Sequence, residues 1–347
     1  MSCRHFGSCG GCLSQDVPDT AYRAAKRDAV ILALSRAGLA NARVEETVSV
    51  PPATRRRAVF KTAKENGAVS LGFHAARSHA IVDMRECLVL TPALFDLTRG
   101  LRDLMGAILA EKEVAELQVT QAENGFDLAL AWKRRATPTL SQQMARLDLA
   151  RVMAGDEMVL EREAPFVRFG KAKVKIPPRV FLQASREGEA LLQNRVLGAL
   201  KGAKNIADLF AGCGTFTFPL AESARVHAVD GNAPALAALA AAARATPGLK
   251  PVTAEKRDLF KRPLTATELN RYDAVLLDPP RAGAQAQIRE IAASGVGRVA
   301  YVSCDAASFA RDARLLTEAG FEMGSVTPID QFLWSSHIEL AALFTRG

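Results

Sequence analysis

From about residue 184 onward, short apolar runs alternate with helix-forming segments, and this rhythm constrains the fold more than any other feature of the chain. The runs are NIADLF (205–210), RVHAVD (225–230), YDAVLLD (272–278) and GRVAYVSC (297–304), with helical segments between them, including an Ala-rich one at 233–245. Strands separated by helices pair in parallel, because a parallel connection has to cross the sheet. The reading is an α/β fold with a doubly wound parallel sheet. FEMGSVTPID and SSHIELAALF follow closely with no helix between them, which predicts an antiparallel hairpin at one edge.

In such a sheet, ligands bind beyond the C-terminal ends of the strands. DLFAGCGTFTFPLA (208–221) reads as strand, Gly212-x-Gly214, then helix. The glycines permit a sharp turn and close approach of backbone to ligand. Asp208 sits in the strand end, and Asp230 ends the next strand, where an acid suits a ribose diol. Thr215 leaves the pyrophosphate fingerprint incomplete, so the pattern favours a nucleoside without pyrophosphate, S-adenosylmethionine. A tight turn without a ligand is the alternative.

Three further strand ends carry chemistry. LLDPPRAG (276–283) ends on Asp278 and two prolines, a rigid rim rich in carbonyls. Arg281 stands where amino-directed methyltransferases place an aromatic, which argues against an adenine or cytosine amino target. YVSCDAASFARD (301–312) puts Cys304 at the start of a helix, whose N-terminus favours a thiolate; an inert buried cysteine is the other reading, and the one preferred for Cys213. SSHIELAALF (335–344) sets Glu339 in an apolar strand, with His337 two residues earlier on the same face. Buried there, Glu339 has a raised pKa and can accept a proton; on an exposed edge it is an ordinary surface acid. A methyl donor, a nucleophilic cysteine and a separate base fit methylation of carbon 5 of a pyrimidine. Cytosine-5 enzymes carry a cysteine directly after Asp-x-Pro, and this chain has none, so uracil fits better.

The first half differs. CRHFGSCGGC (3–12) holds Cys3, Cys9 and Cys12, in a chain with 6 cysteines among 347 residues. No leader-like pattern or membrane-length apolar run is present, so the expected location is the cytoplasm. Clustered thiols there point to metal binding or catalysis rather than disulfides. Spacing alone leaves zinc and iron–sulfur equally open. DTAYRAAKRDAVILALSRAGL (19–39) predicts a helix capped by Asp19, apolar at Ala29, Leu32 and Ala33, and ended by Gly38. Residues 42–160 alternate β-like runs (VSLGF, HAIVDM, FDLALAW) with one helix near 92–112. Residues 1–180 carry 27 Lys+Arg against 20 Asp+Glu, and residues 181–347 carry 18 against 17. A basic first half beside a near-neutral second half suggests polyanion binding, with solvated surface charge as the alternative. The basic stretches are Arg55–Arg56–Arg57 with Lys61 and Lys64, and VRFGKAKVKIPPR (167–179), where alternation puts Lys171, Lys173 and Lys175 on one strand face.

Taken together, CRHFGSCGGC with Cys87, FLQ (181–183), DLFAGCGTF, LLDPPRAG, YVSC and the terminal HIE resemble the RNA 5-methyluridine (uracil-5-) methyltransferase family over nearly the whole chain. The resemblance implies a C-terminal Rossmann-like class I methyltransferase domain with a mostly parallel seven-stranded sheet (181–347). It also implies an N-terminal iron–sulfur segment with its helix (1–40) and a small, basic α+β central domain for RNA contact (41–180). It implies Cys304 as nucleophile, Glu339 as base, and Gln183, Phe210, Thr215, Asp230, Asp258 and Asp278 lining the cofactor and uracil sites. It further implies a [4Fe–4S] cluster on Cys3, Cys9, Cys12 and Cys87. Asp305 and Ala306 stand where the family usually has Asn-Pro, Thr215 and Asp258 where many members have Asn, and Leu333 where Pro is usual. Some relatives carry a small RNA-binding TRAM domain ahead of the cysteines. Here the cysteines open the chain, so that domain is expected to be absent, as in the ribosomal branch. The expected partner is therefore 23S rRNA, with the tRNA T-loop second; the expected protein is a monomer without membrane association.

Overall fold

The computed structural model describes residues 2–131 and 144–347; Trp132, the last residue of the FDLALAW run, lies outside them. The chain opens with helix α1 (Asp19–Arg36) and strand β1 (Val48–Ser49). The central part holds β2 (Arg57–Glu65), β3 (Ala68–His74), β4 (Ile81–Asp83), helix α2 (Pro92–Ile108), β5 (Val114–Ala122), β6 (Gly125–Ala131), β7 (Leu149–Ala154) and β8 (Glu157–Glu161). A hairpin, β9 (Phe166–Phe169) with β10 (Ala172–Lys175), leads into the C-terminal part. That part runs α3 (Arg186–Ala199), β11 (Asn205–Leu209), α4 (Thr217–Ala221), β12 (Arg225–Asp230), α5 (Ala233–Ala245), β13 (Val252–Lys256), α6 (Ala266–Leu269), β14 (Ala274–Leu277), α7 (Gln285–Ala293), β15 (Arg298–Ser303), α8 (Ala306–Glu318), β16 (Glu322–Met323), β17 (Thr327–Asp330) and β18 (Glu339–Thr345).

The C-terminal strands form the expected Rossmann-like α/β sheet, in the order β1-β17-β18-β15-β14-β11-β12-β13 with β16 beside β18. Strands β11 to β15 pair in parallel, and β18 runs antiparallel to both β15 and β17. The seven expected strands are β11 to β15, β17 and β18; β1 and β16 widen the sheet. The final pair is not at the edge, because β1 adds in parallel outside β17. Strand β18 lies inside the sheet, between β15 and β17, and Ile338, Glu339 and Leu340 are all buried. Strand β13 escapes a hydrophobic-pattern reading because it is an edge strand with mostly exposed residues.

Helix α1 departs from the sequence reading. Pro18, not Asp19, occupies the cap position without a side-chain cap bond; Asp19 begins the helix, where its charge suits the positive end of the dipole. The buried face is Tyr22, Lys26, Val30 and Leu34, while Leu32 is 50% exposed. Val30 and Leu34 join the core that includes Leu209, Val275, Tyr301 and Phe309, so α1 rides on the C-terminal sheet. Gly38, at φ +86, ends the helical run as expected.

The central seven-stranded sheet, order β4-β3-β2-β5-β6-β7-β8, buries its face against α2. Thr91 caps α2 by accepting from Leu94 N–H at 3.2 Å, with Pro92 in the first turn. The helix stops at Ile108 rather than near 112, because Leu109 turns extended.

The basic stretches divide. Lys171, Lys173 and Lys175 are exposed on one face of β10 and its turn while Ala172 and Val174 are buried, as the alternation predicts. In the arginine cluster, Arg56 is buried and bonded to Glu189 at 2.6 Å. Lys61 pairs with Glu116, and Lys64 donates to the Gly106 carbonyl. Arg55 donates to the Arg57 carbonyl at 3.0 Å, so local positive sequence is spent on internal hydrogen-bond partners at four of the five positions.

Candidate active site

All eight residues expected at the catalytic and cofactor positions line one cavity of about 520 Å3 beyond the C-terminal strand ends: Gln183, Phe210, Thr215, Asp230, Asp258, Asp278, Cys304 and Glu339. The glycine loop forms one wall. Phe210 leaves β11 at φ +65, and Gly214 sits at φ +96, where an added Cβ would meet the Phe218 ring at 2.5 Å. Gly212 N–H donates to Asp230 Oδ2 at 2.8 Å, and Asn232 N–H donates to Asp230 Oδ1 at 2.6 Å. The acid that ends β12 is thereby fixed beside the glycine loop. Asp258 accepts from Phe260 N–H at 3.1 Å, which brings the exposed Phe260 ring to 5.5 Å from that of Phe210.

The reactive groups Asp278, Cys304 and Glu339 line the same cavity. Burial pushes the Glu339 carboxyl up to about 7, against the hydrogen bond from Gln331 and the charge of Arg281. Asp278 is held well above the usual carboxylate range by burial and by the neighbouring Glu339, Asp208 and Asp230. Asp208 is fully buried and pushed up to about 7, mainly by burial. Its Oδ2 accepts from the Thr217 hydroxyl, and its Oδ1 has no hydrogen-bond partner among the described residues.

The Cys304 thiol is pushed up to about 11, by burial first and then by Glu339 and Asp278. The expected thiolate-favouring effect of the helix start is outweighed in the free protein. The residue that caps α8 is Asp305, accepting from Ser308 N–H at 2.8 Å. Asp and Asn cap a helix equally well, so this departure from the family pattern preserves the turn that presents Cys304.

His337 does not share a strand face with Glu339. Strand β18 begins at Glu339, and the exposed His337 imidazole accepts from the Arg281 guanidinium at 2.5 Å. Arg281 and the exposed Phe181 also line the cavity, and the Arg57 guanidinium lies 5.1 Å over the Phe181 ring. Sequence reasoning gave Phe181, Phe260 and Gln331 no individual role. Two large aromatics placed next to motif residues were the available signal for the first two.

A second, smaller cavity of about 120 Å3 is lined by Cys3, Cys9, Cys12 and Cys87, together with His5, Arg55 and apolar side chains. Backbone donors are aimed at sulfur: His5 N–H to Cys3 at 3.4 Å and Gly11 N–H to Cys9 at 3.5 Å. Among the described residues, no group of three or more His, Cys, Asp or Glu side chains stands close enough to hold a metal ion as placed.

These positions can be set beside known proteins. A family model described as tRNA (Uracil-5-)-methyltransferase matches residues 181–347. An uncharacterized RNA methyltransferase of Brucella suis is 44% identical over 100% of this chain and 84% of its own length.

The chain belongs to the RNA (uracil-5-)-methyltransferase family.

A second member, the 23S rRNA (uracil(1939)-C(5))-methyltransferase of Pectobacterium atrosepticum, is 32% identical over 99% of this chain and 79% of its own length. The crystal structure of Pyrococcus abyssi tRNA (uracil-54, C5)-methyltransferase, in complex with S-adenosyl-L-homocysteine, has the same fold. It superposes with a TM-score of 0.75 at 20% identity, covering 97% of this chain and 85% of that one. Among the described residues, no helix of this family member is long and apolar enough to cross a membrane.

Proposed function

We propose that this family member methylates carbon 5 of uracil in RNA through a covalent bond between Cys304 and carbon 6 of the base. The observation that carries this reading is the convergence of Cys304, Asp278 and Glu339 on the cavity that the glycine loop and Asp230 also line. S-adenosylmethionine supplies the methyl group as a sulfonium, an electrophile. Asp230, at the end of β12 beside the glycine loop, suits the ribose hydroxyls, and Gln183, Phe210, Thr215 and Asp258 line the same cavity.

Cys304 Sγ adds to carbon 6, and the electron pair passes to carbon 5 and the carbonyl as an enolate. Carbon 5 takes the methyl group as the sulfonium–methyl bond breaks. Glu339 then removes the carbon-5 proton, the pair re-forms the ring double bond, and the carbon 6–sulfur bond breaks to release Cys304. A base near 7 suits this task at neutral pH. Beyond burial, Glu339, Asp208 and Asp230 raise Asp278, and Glu339 and Asp278 raise Cys304, so a cationic ligand relieves this repulsion and eases deprotonation of Cys304.

The four N-terminal thiols fit a [4Fe–4S] cluster. They ring a cavity rather than converge on an ion-sized point, and N–H groups aimed at sulfur are the hydrogen bonds such clusters use. A single zinc would require the thiols to close in. We assign residues 1–40 to this cluster and its helix, 41–180 to RNA contact and 181–347 to catalysis. The 32% identical ribosomal relative favours 23S rRNA over the tRNA T-loop as substrate. The cell compartment is taken to be the cytoplasm, and the working unit to be one chain.

The test is release of tritium from RNA labelled at uracil carbon 5, with 23S rRNA and tRNA transcripts compared. Release that depends on S-adenosylmethionine supports the reading. Methyl transfer without tritium loss would place the methyl group elsewhere.

A further inference from the structure

The Gln331 side chain is buried, and the mechanism above does not use it. It lies at the end of β17, beside the strand that carries Glu339. Its amide nitrogen donates to Gln183 Oε1 at 2.6 Å and to Glu339 Oε1 at 3.2 Å. Its amide oxygen accepts from Ala184 N–H at 3.1 Å. Both amide hydrogens and the oxygen are therefore in use, which fixes the amide's orientation. The fit is built into the neighbouring helix. A Cβ at Gly188 in α3 would come within 2.7 Å of Gln331 Cβ and 2.8 Å of its Oε1, so only glycine leaves this side chain its place.

The residue before it is anchored just as firmly. Asp330 is buried and accepts from the Tyr22 hydroxyl at 2.5 Å, from Lys26 Nζ at 2.8 Å and from Phe332 N–H at 3.1 Å. Lys26 also donates to the His337 carbonyl. The segment joining β17 to β18 is thus pinned at both ends by α1.

We infer that Gln331 is a positioning residue for the reaction: its amide holds the Glu339 carboxylate in one orientation and ties it to Gln183 on the cofactor wall. The inference rests on Glu339 being the base. A neutral N–H donor favours the ionised carboxylate, so Gln331 keeps a buried base usable near neutrality. It also couples the two walls of the cavity, so a shift of Gln183 on cofactor binding is felt at the base.

The test uses the full chain carrying Gln331→Met, with tritium release from carbon-5-labelled RNA followed against pH. The acid limb of the profile should move upward by about one pH unit, with the rate recovering at alkaline pH. More covalent RNA–protein adduct should stand at neutral pH than with the unmodified chain. A purely structural role would lower the rate equally at every pH, and that result overturns the inference. If Gln331→Met does not fold, Gln331→Glu keeps an oxygen for Ala184 N–H and places a second acid beside Glu339; the limb should then move up further, and an unmoved limb overturns the inference. Glu339→Gln separates the two readings. A limb that survives Glu339→Gln overturns the base assignment itself. A limb that Glu339→Gln abolishes and Gln331→Met leaves in place overturns the positioning role alone.

Discussion

The two cavities gather residues from distant parts of the chain by opposite means. The N-terminal one assembles four copies of one functional group, three from a ten-residue loop and one from Cys87. Backbone N–H groups donate to two of its sulfurs, the Cys3 thiol donates to the Glu86 carbonyl, and Gln15 accepts from Cys3 N–H, so loop conformation largely sets the site. The C-terminal one assembles unlike groups, each from a different strand end, and lets them perturb one another: Glu339 and Asp278 raise the Cys304 thiol, and Asp208 and Asp230 raise Asp278. The difference teaches that loss of a residue in the first should act on stability, and loss in the second on a single chemical step. The two are joined. Leu13 N–H, next to Cys12, donates to the Trp334 carbonyl, and Tyr22 and Lys26 hold Asp330 beside Gln331.

The largest expected effect breaks the chemistry alone. Cys304→Ala should lower turnover by roughly ten-thousand-fold or more while leaving S-adenosylmethionine affinity, read by calorimetry, within a few-fold. Loss of cofactor binding would show that the thiol is structural. Next, Cys87→Ser tests the other cavity. Cys87 lies 75 positions beyond Cys12, and tying that loop through a cluster is worth up to roughly 4 kcal/mol in loop entropy. The variant should lose iron and unfold at lower denaturant, yet the fraction that remains folded should still form adduct with RNA. Unchanged stability and iron content would remove Cys87 from the ligand set.

The link between the cavities is the third target. Lys26→Met strands a buried Asp330 and should cost about 3–5 kcal/mol in denaturant unfolding. A neutral result would mean that the connection carries no load.

The smallest effect is a pH dependence. Asp208 and Glu339 sit at about 7 in the folded chain, above their ordinary 3.8 and 4.5. Between those ordinary values and 7 the folded state holds protons that the unfolded chain has lost, so these groups make stability fall as pH rises. The lowered pKa values of His227 and His337 act the other way. Glu339→Gln should therefore flatten the acid-to-neutral fall in thermal midpoint relative to the unmodified chain. An identical slope would mean that Glu339 is not held protonated by burial.

Much of the catalytic half was legible because glycines, prolines and strand-end acids have few other uses at those positions. The βαβ rhythm located the five parallel strands except β13, whose exposed edge carries no hydrophobic pattern. What the rhythm could not show was long-range pairing: β1 comes from residue 48 and covers β17, and β18 inserts between β15 and β17, which is what buries Glu339. The internal pairing of the arginine cluster was hidden for a related reason. Charge in sequence does not reveal a buried partner such as Glu189 for Arg56, 133 positions away. Gln331 was invisible for the same cause, since its partners are Gln183 and Ala184, far back in the chain, and Glu339 on the next strand.

The central claim is the covalent path through Cys304, and Glu339→Gln tests it most directly. This variant can add Cys304 to uracil and take up the methyl group, but it lacks the carboxylate that removes the carbon-5 proton. Incubated with S-adenosylmethionine and substrate RNA, it should run as a denaturant-stable shifted band. Mass mapping of its nuclease and protease digest should find 5-methyluracil bonded to the peptide that carries Cys304. Free 5-methyluridine released at the unmodified rate, or an adduct mapped to any other residue, would contradict the account.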